Sequence, residues 1–284
     1  MSTPPAPENA ASERWFQVFK YTVYTLLVIN IALFFREEWL ASRHVFAGGV
    51  EASRVIEAFA ATIDTAMWVV LLLLFELETS VLPDERITGR VKLWLHGTRL
   101  VCYSMVVYAC YGYVVKAFSQ YLYAPADIAS LCDLVGSNAV MLIDLDKFRD
   151  ITGDNCASDV ASSFVTLPGT AVYAASEVWR ATVRLAWTDV INAASWIAVV
   201  IVLEVDVRLQ LVGKLDGAVM VVSKALKAVL YTTLVACAVY WGVAGDFLDF
   251  WDAFLWILAF VAIELNVFHW QAESRQAAPA GAPA

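Results

Sequence analysis

The feature that most constrains this chain is a series of six apolar segments, each close to the ~20 residues that an α-helix needs to cross a bilayer. Hydrophobic residues make up 60% of the 284 residues and charged residues 17%, against about 45–50% and about 25% in soluble domains. One water-soluble core cannot bury so much apolar surface. The sequence therefore predicts an all-α, polytopic integral membrane protein with six transmembrane helices. Their ranges are 15–35, 56–78, 93–118, 188–211, 218–243 and 249–270.

The segments between and around these spans give the expected domain organisation. Residues 1–13 and 271–284 are rich in Ala and Pro and are expected to be disordered tails. Spans one to three occupy 14–118 and spans four to six occupy 188–270, with a small extramembrane insertion at 119–187. Lys and Arg are more frequent on the side of the N-terminus, so the positive-inside rule predicts a plasma or inner membrane with both termini cytoplasmic.

Charge and motifs exclude several classes of protein. The formal net charge is −9, whereas nucleic-acid binding needs a basic face, so no nucleic-acid partner is expected. No CxxC, HExxH, GxSxG or Walker A pattern occurs. We therefore expect no enzymatic activity, no cofactor and no metal site, and the Asp-rich centre of the insertion is expected to be a solvated loop. The expected partners are the lipid bilayer and either further copies of the chain or a larger membrane complex.

The second, fourth and sixth predicted spans share one pattern. In each, Asp or Asn precedes a Trp by four residues, and Glu follows that Trp by eight. The matched sets are Asp64/Trp68/Glu76, Asn192/Trp196/Glu204 and Asp252/Trp256/Glu264, and each Glu is followed two residues later by Glu78, Asp206 or Asn266. The pattern predicts an internal repeat, with chance similarity of interfacial residues as the alternative.

The odd-numbered spans match one another as well, since each has a base followed four residues later by Tyr. The bases are Lys20, Arg99 and Lys227. Together the two patterns predict three copies of a two-helix hairpin, an arrangement that transporters often use. Antiparallel packing then brings each base towards one Glu, which predicts the pairs Lys20–Glu76, Arg99–Glu204 and Lys227–Glu264. Such pairs are either structural clamps within each hairpin or part of a polar path for an ion or proton.

Asp64, Asn192 and Asp252 form a second polar layer, nearer the outer face. A layer of acidic groups without a base suits a proton or cation, and the alternative is that these residues are N-caps of their helices. The sequence thus predicts an ion or proton channel or transporter that uses polar residues at the interface of the three hairpins. The alternative function is a non-catalytic structural or assembly subunit of a larger membrane complex.

The insertion contains two cysteines, Cys132 and Cys156. In the predicted topology the insertion lies on the oxidising side of the membrane, where disulfides persist. We therefore predict a Cys132–Cys156 disulfide. The alternative is two free thiols in a loop on the cytoplasmic side.

Overall fold

The computed structural model describes residues 7–46, 48–82, 86, 88–157, 163–212 and 216–260, and within these ranges it is mainly helical. Five helices are long and apolar enough to cross a membrane: α1, α3 (with the turn after it), α4, α5 and α6. The predicted sixth span, 249–270, begins in α7 and continues beyond the described residues. The α-helices are α1 (Pro7–Val45), α2 (Val55–Ala58), α3 (Ala60–Glu76), α4 (Gly89–Ser119), α5 (Ser176–Leu211), α6 (Gly217–Ala244) and α7 (helical over 247–260).

The helices pack as a bundle in which α3 contacts α1 and α4, and α5 contacts α4 and α6. One apolar core joins the first, third and last of them, with Leu27 from α1, Val69 and Leu72 from α3, and Leu255 and Ala259 from α7 all buried. Many large apolar side chains point outwards instead, most of all on α6. That outward apolar surface is what a lipid-facing bundle requires, because lipid is as apolar as a protein core.

A close approach of two backbones fixes the short helix α2 against α4. A Cβ added to Gly112 of α4 would collide with the carbonyl oxygen of Ile56 in α2. Only glycine, which has no Cβ, allows this contact. The loop between α1 and α3 is therefore held against the bundle, and it places the start of α3 beside α4.

The insertion between α4 and α5 is a five-stranded sheet, so the all-α prediction was wrong for this segment. The strand order is β1-β4-β5-β2-β3, and neighbours are antiparallel except for the parallel pair β2–β5. The strands have only two to five residues, which leaves too little alternation for a sequence pattern to reveal. Their ranges are β1 (Ala124–Pro125), β2 (Val140–Asp144), β3 (Lys147–Asp150), β4 (Phe164–Thr166) and β5 (Val172–Ala175).

The predicted Cys132–Cys156 disulfide is confirmed. It joins the 3₁₀ turn Leu131–Leu134 to the turn that follows β3. The covalent bond lies beside a small core that includes the buried side chains of Leu131, Met141 and Phe164. A sheet of short strands buries little apolar surface, and the disulfide compensates by restricting the unfolded chain.

The sheet contacts the bundle through the hairpin tip, which we define as Leu145 and Asp146 between β2 and β3 together with Lys147, the first residue of β3. Asp146 has a φ of 60°, in the left-handed region that tight hairpin turns use and that Asp and Asn tolerate better than most residues. Leu145 is buried in an apolar cluster with Leu185 of α5 and Trp241 of α6. The tip therefore penetrates one end of the helix bundle.

Candidate functional site

A buried ion pair lies at one end of the bundle. Lys20 Nζ and Glu76 Oε1 are 2.6 Å apart, and their side chains are only 6% and 7% exposed. The hydroxyls of Tyr21 and Tyr24 donate to the same carboxylate at 3.3 and 3.5 Å. Lys20 and Glu76 are thus neighbours, as the antiparallel geometry predicts, and the Tyr that follows this base by four residues shares its partner.

The other two bases have different partners from those predicted. Arg99 pairs with Glu78 rather than with Glu204, and Lys227 pairs with Asp206 at 2.6 Å. Glu264 lies outside the described residues. Residues two apart on a helix point about 200° away from each other, so only one of Glu204 and Asp206 can face α6. Asp206 does so, whereas the side chain of Glu204 is 60% exposed and pairs with Arg208 on its own helix.

The predicted outer layer meets in one small cavity. Asp64 from α3, Asn192 from α5 and Asp252 from α7 all line it, together with Asp189 and Asp249. No Lys or Arg side chain lines this acidic cavity in the part of the chain that the structure describes. Its volume is about 30 Å³, more than the roughly 10–15 Å³ that one water molecule needs.

These residues are not helix caps. Asp64 lies four residues after the start of α3, and Asn192 lies well inside α5. The N-terminus of α3 is instead satisfied by Glu38 of α1, whose two carboxylate oxygens accept hydrogen bonds from the amides of Ala61 and Thr62 at 2.9 and 3.0 Å. Because another helix supplies the cap, Asp64 is free to face the cavity.

Several polar atoms in the cavity wall have unused hydrogen-bonding capacity. Asp64 is 8% exposed, and its Oδ1 has no hydrogen-bond partner among the described residues. Oδ1 of Asp189 and the indole nitrogen of Trp241 also make no hydrogen bond of good geometry to a described residue, although these two groups lie beside each other and interact. Asp252 does have a partner, since the buried Asn30 of α1 donates to its Oδ1 at 2.8 Å. Buried polar atoms in proteins are normally satisfied by protein, water or an ion, so this wall is suited to holding one of the latter two.

Three tryptophans close the cavity on the side that faces the Lys20–Glu76 pair. Trp68, Trp196 and Trp256 each lie one helical turn after a polar residue of the outer layer. Their ring centroids are 6.2, 6.5 and 6.5 Å apart, which makes a nearly equilateral triangle. We call this group the Trp triangle. Its apolar rings separate the acidic cavity from the buried ion pair.

On the other side, Leu145 of the hairpin tip packs with Trp241 and Ala253, two residues of the cavity wall. Asp146 accepts a hydrogen bond from Lys116 of α4 at 2.6 Å, and Lys116 also contacts Glu38 at 3.4 Å. Lys147 bonds the buried Asp246 at 2.9 Å. Burial is the largest single influence on the pKa of Lys147 and lowers it, but the charge and hydrogen bond of Asp246, the charge of Glu37 and the hydrogen bond of Asp144 together outweigh burial, so the pKa is raised above its ordinary value. Around Asp146 and Lys147 the centre of the insertion is therefore not the solvated loop that was expected, whereas Asp150 and Asp154 are exposed.

Sequence reasoning missed three residues of this region: Asn30, Glu38 and Lys116. All three are almost fully buried within long apolar helices. A signal was present, because a polar side chain within a predicted span is costly unless it has a partner. Pattern matching between spans passed over them because none of the three recurs at a matched position.

Comparison with protein-family models, with curated proteins and with solved structures finds no match to this chain. Within the described ranges, no group of three or more His, Cys, Asp or Glu side chains is arranged to hold a metal ion. What the site does must therefore be argued from its geometry.

Proposed function

We propose that this protein moves protons or small monovalent cations across a membrane through the acidic cavity. The observation that carries the proposal is the cavity wall, where four Asp and one Asn from three helices converge; among the described residues no base lines it, although the charge of Lys116 acts on Asp189 from outside the wall. Acidic groups within apolar helices are costly, and in membrane proteins they usually mark ion or proton pathways. The Oδ1 atom of Asp64, buried and without a described partner, is the acceptor that a cation or proton would occupy first.

The repeat that the sequence predicts is part of this proposal. The Trp triangle takes one matched residue from each of three helices, as a three-fold arrangement requires. The pairs Glu78–Arg99 and Asp206–Lys227 both span 21 residues of sequence. We infer six membrane spans in three units, each an acidic helix followed by a basic one, with α1 serving as the basic helix of the unit that α7 begins.

The proposed orientation places both termini in the cytoplasm and the sheet on the opposite side. The disulfide supports it, since disulfides persist in oxidising compartments and are rare in the cytosol. In this orientation the acidic cavity lies nearer the outer side and the Lys20–Glu76 pair lies towards the cytoplasm. The hairpin tip and the Trp triangle then close the cavity at its two ends, as in an occluded state.

We assign the Lys20–Glu76 pair a structural role. Both charges are buried and bonded to each other, and two tyrosine hydroxyls complete the carboxylate's hydrogen bonds. A carboxylate with so many fixed partners is poorly suited to releasing and rebinding a mobile ion. Of the two interpretations of these pairs, the geometry therefore favours the clamp.

Flux through proteoliposomes tests the proposal. Purified protein is reconstituted with a pH-sensitive dye inside, and H⁺, Na⁺ or K⁺ flux is driven by an imposed gradient or diffusion potential. We expect flux from the wild type and a loss of tenfold or more in Asp64→Asn and Asp252→Asn. Glu204→Gln, which alters an exposed pair on α5, is the matched control and should keep wild-type flux. Absence of flux from folded wild type, or equal flux in Asp64→Asn, would refute the proposal.

The second candidate is an assembly subunit of a membrane complex. The observation that favours it is α6, the least buried of the candidate spans, with only 11% of its apolar window covered. Another subunit could cover this face as well as lipid does. Stoichiometric co-purification of one partner after mild solubilisation, together with the absence of flux from the chain alone, would favour this function.

A further inference from the structure

A second and larger cavity lies where the sheet meets the bundle. Its volume is about 140 Å³, and we call it the junction cavity. It is separate from the acidic cavity, and Leu145 and Asp146 of the hairpin tip form part of its wall. Several of the other wall residues are apolar, among them Leu142, Phe148 and Leu167. Apolar walls with a few polar groups are typical of small-molecule sites.

Several hydrogen-bond donors along this wall are already in use. The hydroxyls of Ser119, Thr170 and Thr182 each donate to a backbone carbonyl. Arg54 donates from Nε and Nη2 to the two carboxylate oxygens of Glu57, both at 2.9 Å. This bidentate pair neutralises both charges. The three hydroxyls are therefore not available to a ligand, whereas Arg54 keeps three of its five N–H groups.

Two hydrogen-bond acceptors on the same wall are available to a ligand. Gln120 is 9% exposed, and its Oε1 has no hydrogen-bond partner within the described ranges. Asp146 uses Oδ2 to accept from Lys116, while no described residue donates to its Oδ1. Leaving a buried acceptor unsatisfied costs about 1–3 kcal/mol. A ligand that brings N–H donors would remove that cost.

Aromatic residues and charge narrow the ligand class further. Tyr123 and Phe148 both line the junction cavity, and aromatic faces attract cations. Burial, with a further contribution from the charge of Asp146, raises the pKa of Tyr123, so its phenol stays neutral. With Arg54 and Glu57 cancelling each other, Asp146 is the wall charge left to attract a ligand. Its only described partner, Lys116, is shared with Glu38.

We propose that the junction cavity binds a small organic ammonium ion. Its N–H groups would bond Asp146 and Gln120, and its carbon atoms would lie against Tyr123 and Phe148. Binding at Asp146 competes with Lys116, which holds the hairpin tip to α4. Since Leu145 of the same tip packs with Trp241 of the acidic cavity, occupancy of the junction cavity loosens the outer closure of that cavity.

Calorimetric titration of the purified protein in detergent tests this proposal, with methylammonium as the probe. We expect saturable binding that is at least tenfold weaker in Asp146→Asn and in Gln120→Met. Asn tolerates the left-handed backbone at position 146, and Met keeps the volume of Gln120 while removing its acceptor. Asp150→Asn removes the same charge from an exposed position on the same hairpin and should bind as the wild type does.

Three results would overturn the proposal: no saturable binding of methylammonium, equal binding in Asp146→Asn, or equal binding of uncharged methanol. If methylammonium binding fell in Asp64→Asn and not in Asp146→Asn, the probe would occupy the acidic cavity, and that outcome would also overturn the proposal. A Gln120→Met variant that retains full affinity while Asp146→Asn loses it would overturn the assigned geometry. The measurement needs no transport, so its failure and the failure of the proposed function are distinguishable.

Discussion

Replacing Glu76 by Gln tests the structural role of the buried Lys20–Glu76 pair. The change leaves the Lys20 ammonium, whose side chain is 6% exposed, without its counter-charge 2.6 Å away. Breaking a buried pair by removing one partner costs about 3–5 kcal/mol. Whole domains are stable by only about 5–15 kcal/mol, so this loss is a large part of the total. We expect Glu76→Gln to unfold at a clearly lower denaturant concentration and to express poorly.

Equilibrium unfolding in mixed micelles, followed by tryptophan fluorescence and circular dichroism, measures the loss. Glu204→Gln is the matched control, because it makes the same chemical change in an exposed ion pair within one helix. Such a pair contributes only about 0.3–0.5 kcal/mol to stability. The double variant Lys20→Met, Glu76→Leu should recover most of the stability. Apolar replacements of a buried pair are often neutral or stabilising, since no unpaired charge remains.

The reasoning would be refuted if Glu76→Gln unfolded within about 1 kcal/mol of the wild type. If flux also fell in that variant, Glu76 would belong to the ion pathway rather than to a clamp. A double variant no more stable than Glu76→Gln would mean that shape, and not charge, sets the cost.

Three further predictions concern stability. Cys132→Ser should destabilise the sheet by about 3 kcal/mol, because it opens the loop that the disulfide closes over a sequence separation of 24. Limited proteolysis should then cut the insertion of the variant, and a variant that stays uncut would contradict this prediction. Gly112→Ala should destabilise the protein by about 1–3 kcal/mol through overpacking, whereas Gly97→Ala on the same helix, where an added Cβ meets no other atom, should not destabilise it. Thermal unfolding of the two variants tests this difference. Lys147→Met should lower the free energy of unfolding by about 2 kcal/mol. Because Asp246 raises the pKa of Lys147, this contribution is fully present below the ordinary lysine pKa of 10.5 and is lost only as pH rises further. A stability difference between wild type and variant that already narrows between about pH 6 and pH 9 would argue against the bridge.

Patterns that depend on helical geometry could be predicted from the sequence. The long apolar runs predicted the spanning helices, and the shared Asp/Asn-Trp spacing predicted a polar layer that does converge in one cavity. Lys20–Glu76 followed from antiparallel packing, although the spacing gave no reason to prefer Glu76 to Glu78, which pairs with Arg99 instead. The rotation of each helix about its own axis could not be predicted. Glu204 and Asp206 are both acidic, and packing against α6 alone selects Asp206.

The outer part of the site depended on information that the sequence does not display locally. Glu38 and the start of α3 are joined by two hydrogen bonds between different helices, and no spacing rule anticipates a cap supplied from elsewhere. The Asp-rich stretch looked solvated because its partner Lys116 is distant in sequence. Short strands such as β4 become stable only once their neighbours are in place, so their residues carry little local signal.

The bond between Asn30 and Asp252 joins residues 222 positions apart, so the first helix of the bundle waits for the last one to be synthesised. Contacts of such long range form late, because the whole intervening chain must first be in place. Asp252 and Trp256 both belong to α7, and without them neither the acidic cavity nor the Trp triangle has its third wall. A nascent chain thus inserts its early helices before any complete polar cavity exists. Under the proposed function, an unfinished copy therefore has no complete ion path.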